Sequence, residues 1–309
     1  MKILMVGAGG VGGYFGGRLA AAGEDVTFIA RGPHLAAMQA RGLKLESPLG
    51  GALIDPVRAC ANTDGLDPMD LVFIAVKLGD TPSAIEACRA AVGPDTVVIS
   101  LQNGLAADQW LVAAFGAGQV AGGVAYIAAR MSAPGVIEHT GTNQRIQVGE
   151  LAGGLSPRTD RIAAALIRAG VECESVGDIA RARWEKFVFL VGLAATTALT
   201  GEPIGVIRED PHMRGFLRAA MDEAAAVGRA RGIDFAEDYA DQRLAFADSL
   251  PQTMTSSMSH DLAAGKPLEL DWLCGAVAQM GLESGVPTPV NTTVYAALKT
   301  RRGGGQAAS

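Results

Sequence analysis

An α/β chain, with a doubly wound parallel sheet in its N-terminal part and helices alone in its C-terminal part, is predicted by three observations. A strand, glycine turn, helix, strand unit fills the first 31 residues. Continuous apolar runs then alternate with helical segments as far as Val176. From Asp178 onward long helical segments take over, which places the domain boundary near Gly177, with domains 1–177 and 178–309.

In the first unit, Ile3 to Val6 is a short apolar run followed directly by Gly7-Ala8-Gly9-Gly10-Val11-Gly12. An alanine- and glycine-rich segment runs to Ala22 and stops at Gly23, and Val26 to Ala30 is a second β-type run ending on Arg31. Gly7 allows the tight turn, Gly9 lets the backbone approach a pyrophosphate, and Gly12 lets helix and strand pack closely. The helix N-terminus offers unpaired N–H groups and a positive dipole end to phosphates. In a chain with 40 glycines such a motif means little alone; its seat between a strand and a helix gives it weight. Gly16 and Gly17 read as packing residues. A dinucleotide site for NAD carries Asp or Glu at the end of the second strand, whereas Arg there suits a 2′-phosphate. Here the position is Arg31 and the next carboxylate is Glu46, so the reading is a Rossmann-type sheet binding NADPH/NADP+.

The following elements are a short helix from Pro33 to Ala40, a strand at Leu43-Lys44-Leu45, and a run from Asp70 to Lys77 that suits a strand covered on both faces. Thr81 to Val92 reads as helix, Thr96 to Leu101 as strand, Leu105 to Phe115 as helix and Val120 to Ile127 as strand. Val136 to Val148 has strand character, with Gly141-Thr142-Asn143 as the turn of a hairpin. Ser156 to Ala169 is helical and Val171 to Val176 a last strand. Beyond it come helices over Asp178 to Leu199, Pro211 to Arg231, Ala236 to Leu250 and Leu268 to Gly285. Arg31, Lys77 and Asn103 all fall at strand ends, where a doubly wound sheet holds its ligand.

The chain is 309 residues long and 49% hydrophobic, enough for a full core without staples. A net charge of −6 and a pI near 5.3 argue against nucleic acid or an anionic membrane as partner, the one basic cluster being Lys299-Arg301-Arg302. The uncharged stretch Phe187 to Gly201 is shorter than the roughly 20 residues a membrane span needs. Met1-Lys2 leads straight into the first strand, so no signal peptide is expected and the location is read as cytoplasmic. Cys60, Cys88, Cys173 and Cys274 are isolated, and with His34, His139, His212 and His260 they form no metal-ligand set. They read as reduced, buried thiols. The tail from Gly303 to Ser309 is expected to be disordered.

In the helical half, Arg183-Trp184-Glu185-Lys186 precedes a segment that is apolar almost all round to Leu199, as a buried helix is. A lysine at its edge either lays its stem on apolar surface or, desolvated, donates a proton to a carbonyl. Glu269 sits in Lys266-Pro267-Leu268-Glu269-Leu270-Asp271, read as a helix start. Thr253 to Ser259 is rich in hydroxyls, and Ser256-Ser257-Met258 can bind a carboxylate.

Over nearly its whole length the sequence resembles the ketopantoate reductases (2-dehydropantoate 2-reductases), which reduce a 2-keto acid with NADPH on the way to pantothenate and coenzyme A. The resemblance is carried by the N-terminal glycine motif, Arg31, Lys77, Gln102-Asn103-Gly104, Trp184-x-Lys186, Ser256-Ser257-Met258-x-x-Asp261 and Glu269-x-Asp271, in the family's order. It implies Gly7, Ala8, Gly9, Gly10, Val11, Gly12, Arg31, Lys77 and Asn103 as cofactor-binding residues. It also implies Asn103, Ser257 and Glu269 as substrate-binding, with Ser257 on the carboxylate, and Lys186 with Glu269 as the catalytic pair, the lysine donating the proton. The implied fold is a Rossmann domain and an all-helical domain with the active site between them; the helices in the second suit a homodimer as well as a monomer.

The chain departs from the family's pattern at two positions. Four and eight residues after the lysine, where those enzymes carry Asn, stand Leu190 and Ala194. That suggests either a less polar 2-keto acid or another way of binding the same one, with Thr196 and Thr197 as possible compensation. A non-catalytic NADP-binding regulator is the third reading, and the presence of both Lys186 and Glu269 speaks against it.

Overall fold

The computed structural model describes residues 1–305. Contacts divide the chain into two units, Met1–Ala182 and Arg183–Ser309. The first unit runs β1 (Lys2–Val6), α1 (Gly10–Ala21), β2 (Asp25–Ile29), α2 (Gly32–Arg41), β3 (Leu43–Glu46), β4 (Ala52–Ile54), β5 (Arg58–Cys60) and β6 (Leu71–Ile74). It continues with α3 (Thr81–Cys88), β7 (Val97–Ser100), α4 (Ala107–Phe115), β8 (Val120–Ala133), β9 (Val136–Glu150), α5 (Pro157–Arg168) and β10 (Glu172–Ser175).

The strands make one sheet in the order β4-β3-β9-β8-β7-β6-β1-β2-β5, with β10 paired to β9. From β8 to β5 every neighbouring pair is parallel. Side chains alternate between two cores. Ile3 and Met5 meet Tyr14, Phe15 and Leu19 of α1 on one face, while Leu4 and Val6 meet Ala84, Ile85 and Cys88 of α3 on the other. Burial on both faces is why β6 and β7 are apolar without alternation. Phe28 and Phe73 are fully sealed, and truncating either to Ala should cost about 3–5 kcal/mol. From β1 the chain steps outward to β2 and later returns to the other side of β1 at β6. The carboxyl ends of β1 and β6 therefore flank a switch point, where such sheets open a ligand crevice.

Three sequence expectations need correction. Gly141-Thr142-Asn143 does not turn: β9 is unbroken, and the chain reverses at Pro134-Gly135, where Gly135 takes φ +82°. Thr140 to Asn143 stand opposite Ala128 alone in the β8–β9 register, so residues with turn chemistry form a bulge inside a long hairpin. The short strands β4 and β5, three residues each, are too brief to carry a period and were not foreseen.

The third correction lies in the second unit. Its helices are α6 (Ile179–Thr200, which spans the division), α7 (Ile204–Glu209), α8 (Pro211–Ala230), α9 (Tyr239–Asp248), α10 (Ser257–Ala263), α11 (Cys274–Ser284) and α12 (Pro289–Leu298). The predicted helix from Leu268 is broken into a 3₁₀ turn, Leu270–Trp272, and α11, with Leu273 between them at φ −113°, ψ −100°. Contacts from the chain's end hold it so: Leu268 N–H donates to Arg302 O at 2.9 Å, and the Tyr295 hydroxyl donates to Asp271 at 2.8 Å. Glu269 is thus the residue before a 3₁₀ turn rather than part of an α-helix. Helix α8 is the centre of the unit, packing against α7, α9, α11 and α12. Asp210 caps it by accepting from His212 and Met213 N–H, both at 2.9 Å. Of the tail, Gly305 N–H donates to Gly265 O at 3.0 Å, so the described part is tied back. The rest of that expectation lies outside the described residues.

Candidate functional site

In the first unit the strand order does the assembling. Arg31 follows β2, the glycine loop follows β1, Lys77 follows β6 and Asn103 follows β7, and these four parallel strands are consecutive in the sheet. All four segments therefore emerge at one sheet edge. Gly7 has φ +98°, and a Cβ there would lie 2.7 Å from Val76 Cγ1, so the turn after β1 also abuts the loop after β6. A Cβ on Gly12 would lie 2.0 Å from Gly7 O, which is the close helix–strand approach its position requires. Above Gly9 nothing lies within 4 Å, leaving the room at the start of α1 that a phosphate needs. Gly10 has a role not foreseen: a Cβ there would meet Ala129 O of β8 at 2.1 Å. Gly16 and Gly17 do pack, against Phe28 and Leu45.

Arg31 and Lys77 are exposed, and Asn103 is partly exposed. Arg31 Nη2 lies 3.5 Å from Ser83 Oγ, at the start of α3. Two side chains that sequence reasoning passed over hold the loops. His34, dismissed as a metal ligand, is buried and accepts the Gly135 N–H at Nδ1 (2.9 Å), while its Nε2–H donates to Ala8 O in the glycine loop at 2.8 Å. Nothing in the sequence signalled this, because Gly135 is 101 residues away. Gln102, whose sequence position marks it only as the neighbour of Asn103, bridges the loops after β6 and β7.

In the second unit, Lys186 stands on α6 with Glu269 close enough to act on its charge. Burial pulls the Lys186 ammonium down to about 8; Arg183 pushes it the same way, and the Glu269 carboxylate opposes both. Glu269 itself is buried. The Lys186 helix is fixed by close packing: a Cβ on Gly192 would lie 2.4 Å from Met221 Cγ of α8, and Trp184 packs edge-on to Phe187 at 5.4 Å.

The serine stretch divides its labour. Ser256 is buried as the cap of α10, accepting from Ser259 N–H at 3.0 Å, and its hydroxyl lies 2.7 Å from Thr197 Oγ1. Met258 is buried and Ser257 is exposed, so Ser257 is the residue of this trio whose side chain faces outward. The suggestion that Thr196 and Thr197 compensate for Leu190 and Ala194 does not hold. Both threonines are fully buried; Thr196 donates to Gly192 O at 2.9 Å and Thr197 to Leu193 O at 2.7 Å. Ala194 is also sealed, and Leu190 is partly exposed. Among the described residues no group of three or more His, Cys, Asp or Glu can hold a metal ion, and no helix is long and apolar enough to cross a membrane.

These features define a class: an α/β protein whose glycine loop sits at the switch point of a largely parallel sheet, followed by a helical unit with a desolvated lysine beside a carboxylate. Two family models match the chain, "Ketopantoate reductase PanE/ApbA" over residues 3–153 and its C-terminal counterpart over residues 178–302. It is 33% identical to the 2-dehydropantoate 2-reductase of Mesorhizobium japonicum, over 97% of both chains. The enzyme of that name from Pyrococcus horikoshii is 29% identical over 99% of both. The crystal structure of the Geobacter metallireducens 2-dehydropantoate 2-reductase superposes with a TM-score of 0.91 at 32% identity, covering 97% of this chain and 99% of that one. The chain belongs to the ketopantoate reductase family, a family of oxidoreductases.

Proposed function

We propose that the protein is an NADPH-dependent reductase of a 2-keto acid, with 2-dehydropantoate, reduced to pantoate, as the substrate that its relatives' names favour. The observation that carries the reading is Lys186: a lysine whose ammonium is drawn down to about 8 beside buried Glu269 can give up a proton near neutral pH. The open space above Gly9, with Arg31 and Lys77 at neighbouring strand ends, fits a phosphorylated dinucleotide. When bound, that cofactor supplies the hydride for the keto carbon. Arg31 and Lys77 hold its phosphate end, Arg31 preferring the 2′-phosphate, and Asn103 orients the reacting groups. Ser257 binds the substrate carboxylate. Lys186 steadies the charge that develops on the carbonyl oxygen and delivers a proton to it, and Glu269 keeps the lysine protonated and in place.

A second reading, reduction of a less polar 2-keto acid, is favoured by Leu190 and Ala194, since the Thr196 and Thr197 hydroxyls are engaged inside α6. Both readings meet in one experiment: NADPH oxidation by the purified protein with 2-dehydropantoate and a panel of other 2-keto acids. Turnover of 2-dehydropantoate well above the panel supports the first; preference for an unhydroxylated keto acid supports the second. Tight NADPH binding with no turnover of any keto acid sinks both and points to a nucleotide-binding regulator.

A further inference from the structure

We infer that Gln102, acting with Thr81, is the positioning residue of the nucleotide end: it sets the loop of Lys77 against the loop of Asn103. The inference rests on the reading of those two residues as cofactor ligands.

Gln102 lies just beyond β7, and both ends of its carboxamide are engaged. Nε2 donates to Val76 O at 2.9 Å and to Thr81 Oγ1 at 2.8 Å. The Ser100 hydroxyl donates to Oε1 at 3.0 Å. Because a backbone carbonyl can only accept, Val76 O fixes which end of the amide is nitrogen. Thr81 Oγ1, having accepted from Gln102, sends its own proton to Leu78 O at 2.8 Å. Thr81 is completely buried, so its bond to Leu78 O is shielded from competing water.

The bonded atoms fall on both sides of the proposed ligands. Val76 O and Leu78 O bracket Lys77, and Gln102 immediately precedes Asn103. One carboxamide and one hydroxyl thus hold Lys77 between two anchored carbonyls and tie that segment to the strand end that presents Asn103. The strand register ends at Ile74–Ser100, followed by a backbone bond from Leu101 N–H to Ile74 O at 2.9 Å. Beyond it the Gln102 side chain joins the two loops.

The test is NADPH affinity, read by the quenching of protein fluorescence, with thermal unfolding measured on the same samples. Gln102→Glu keeps the shape but removes both N–H donors, and Thr81→Val keeps the shape but removes the relay. Each leaves buried polar atoms unpaired and should lower the melting temperature by a few degrees; on the protein that is still folded each should also weaken NADPH by about tenfold, the cost of misplacing binding groups. Thr81→Ser, which restores the hydroxyl, should bind within about twofold of the wild type. Wild-type affinity in Gln102→Glu overturns the inference. So does a Thr81→Ser protein as weak as Thr81→Val, or losses that simply follow melting temperature. Lys77→Ala separates the two levels. If it leaves NADPH affinity untouched, the assignment of Lys77 fails; if it weakens binding while Gln102→Glu does not, only the positioning role fails.

Discussion

Arg31, Lys77 and Asn103 are exposed or half-exposed groups on loops, placed by the order of parallel strands and by glycines that let backbones meet. Lys186 and Glu269 stand in the helical unit, where Glu269 is buried and burial, not loop geometry, sets the charge of Lys186. The proposed function makes the first region a matter of where the backbone can go and the second a matter of how water is kept from a charge. The first should break through added volume or a removed cation, the second through loss of one side chain.

The largest expected effect is therefore in the helical unit. Lys186→Ala should lower kcat by about 10²–10⁴-fold, the usual worth of a positioned proton donor, while NADPH affinity stays at the wild-type value. In the wild type, kcat/KM should fall as pH rises past about 8, because the ammonium deprotonates there and the donor is lost. A rate that stays level through pH 8 to 10, or an unimpaired Lys186→Ala enzyme, removes the lysine from the mechanism.

The next effect, at the glycine loop, separates space kept for the fold from space kept for a ligand. A Cβ on Gly12 would meet Gly7 O at 2.0 Å and Ala75 Cβ at 2.9 Å, so Gly12→Ala should destabilise the protein by about 1–3 kcal/mol. Gly9→Ala meets no atom within 4 Å and has an ordinary extended backbone at φ −72°, so its melting temperature should stay near the wild-type value. Its NADPH affinity should drop all the same, since the methyl enters the space above the helix start. Calorimetry and fluorescence titration on both variants decide the matter; tight NADPH binding by Gly9→Ala would put the phosphate elsewhere.

How far such roles can be read from a sequence differs between the regions for a physical reason. The glycine loop, Arg31 and the strand ends are local: each is defined by residues within one strand–turn–helix unit, and the sheet follows from short apolar runs buried on both faces. The bulge of Thr140 to Asn143 misleads because a β-bulge and a turn use the same residues, and only the pairing on either side of it, Ile127 with Gln144 and Ala129 with His139, distinguishes them. In the helical unit, Lys186 alone favours a snorkelling side chain; Glu269 and the hydroxyl-rich stretch Thr253 to Ser259 favour a desolvated one, and only the family resemblance gives the two residues their catalytic roles. The fate of Thr197 depends on Ser256, 59 residues away, and that of His34 on Gly135. Long-range partners of this kind leave no periodic trace.

A third, smaller effect tests the cofactor side. Arg31→Ala should weaken NADPH by about tenfold to a hundredfold, the range of a charge-assisted contact to phosphate, and leave NADH nearly unchanged. Equal losses for the two nucleotides would take Arg31 out of contact with the 2′-phosphate.

The smallest effect concerns stability rather than binding, and it shows that burial also governs charge in the sheet unit. His139 on β9 is buried; its Nδ1 lies 2.9 Å from Ser47 Oγ and its Nε2 donates to Asn143 O at 3.1 Å, a neutral tautomer with both nitrogens engaged. Burial lowers its pKa from 6.5, the Asn143 carbonyl acts in the opposite sense, and the nearby Arg18 charge lowers it further. The unfolded chain therefore binds a proton that the folded chain resists. As pH falls below about 6.5, unfolding gains the proton and stability is lost, whereas above that value the group contributes no slope. The melting temperature of the wild type should thus decline more steeply between pH 7 and 5 than that of His139→Gln, which keeps polar atoms but does not titrate. Parallel declines would mean that the acid sensitivity belongs to the carboxylates, Glu150 and Glu24 first among them, whose pKa values their Arg158 and N-terminal partners depress.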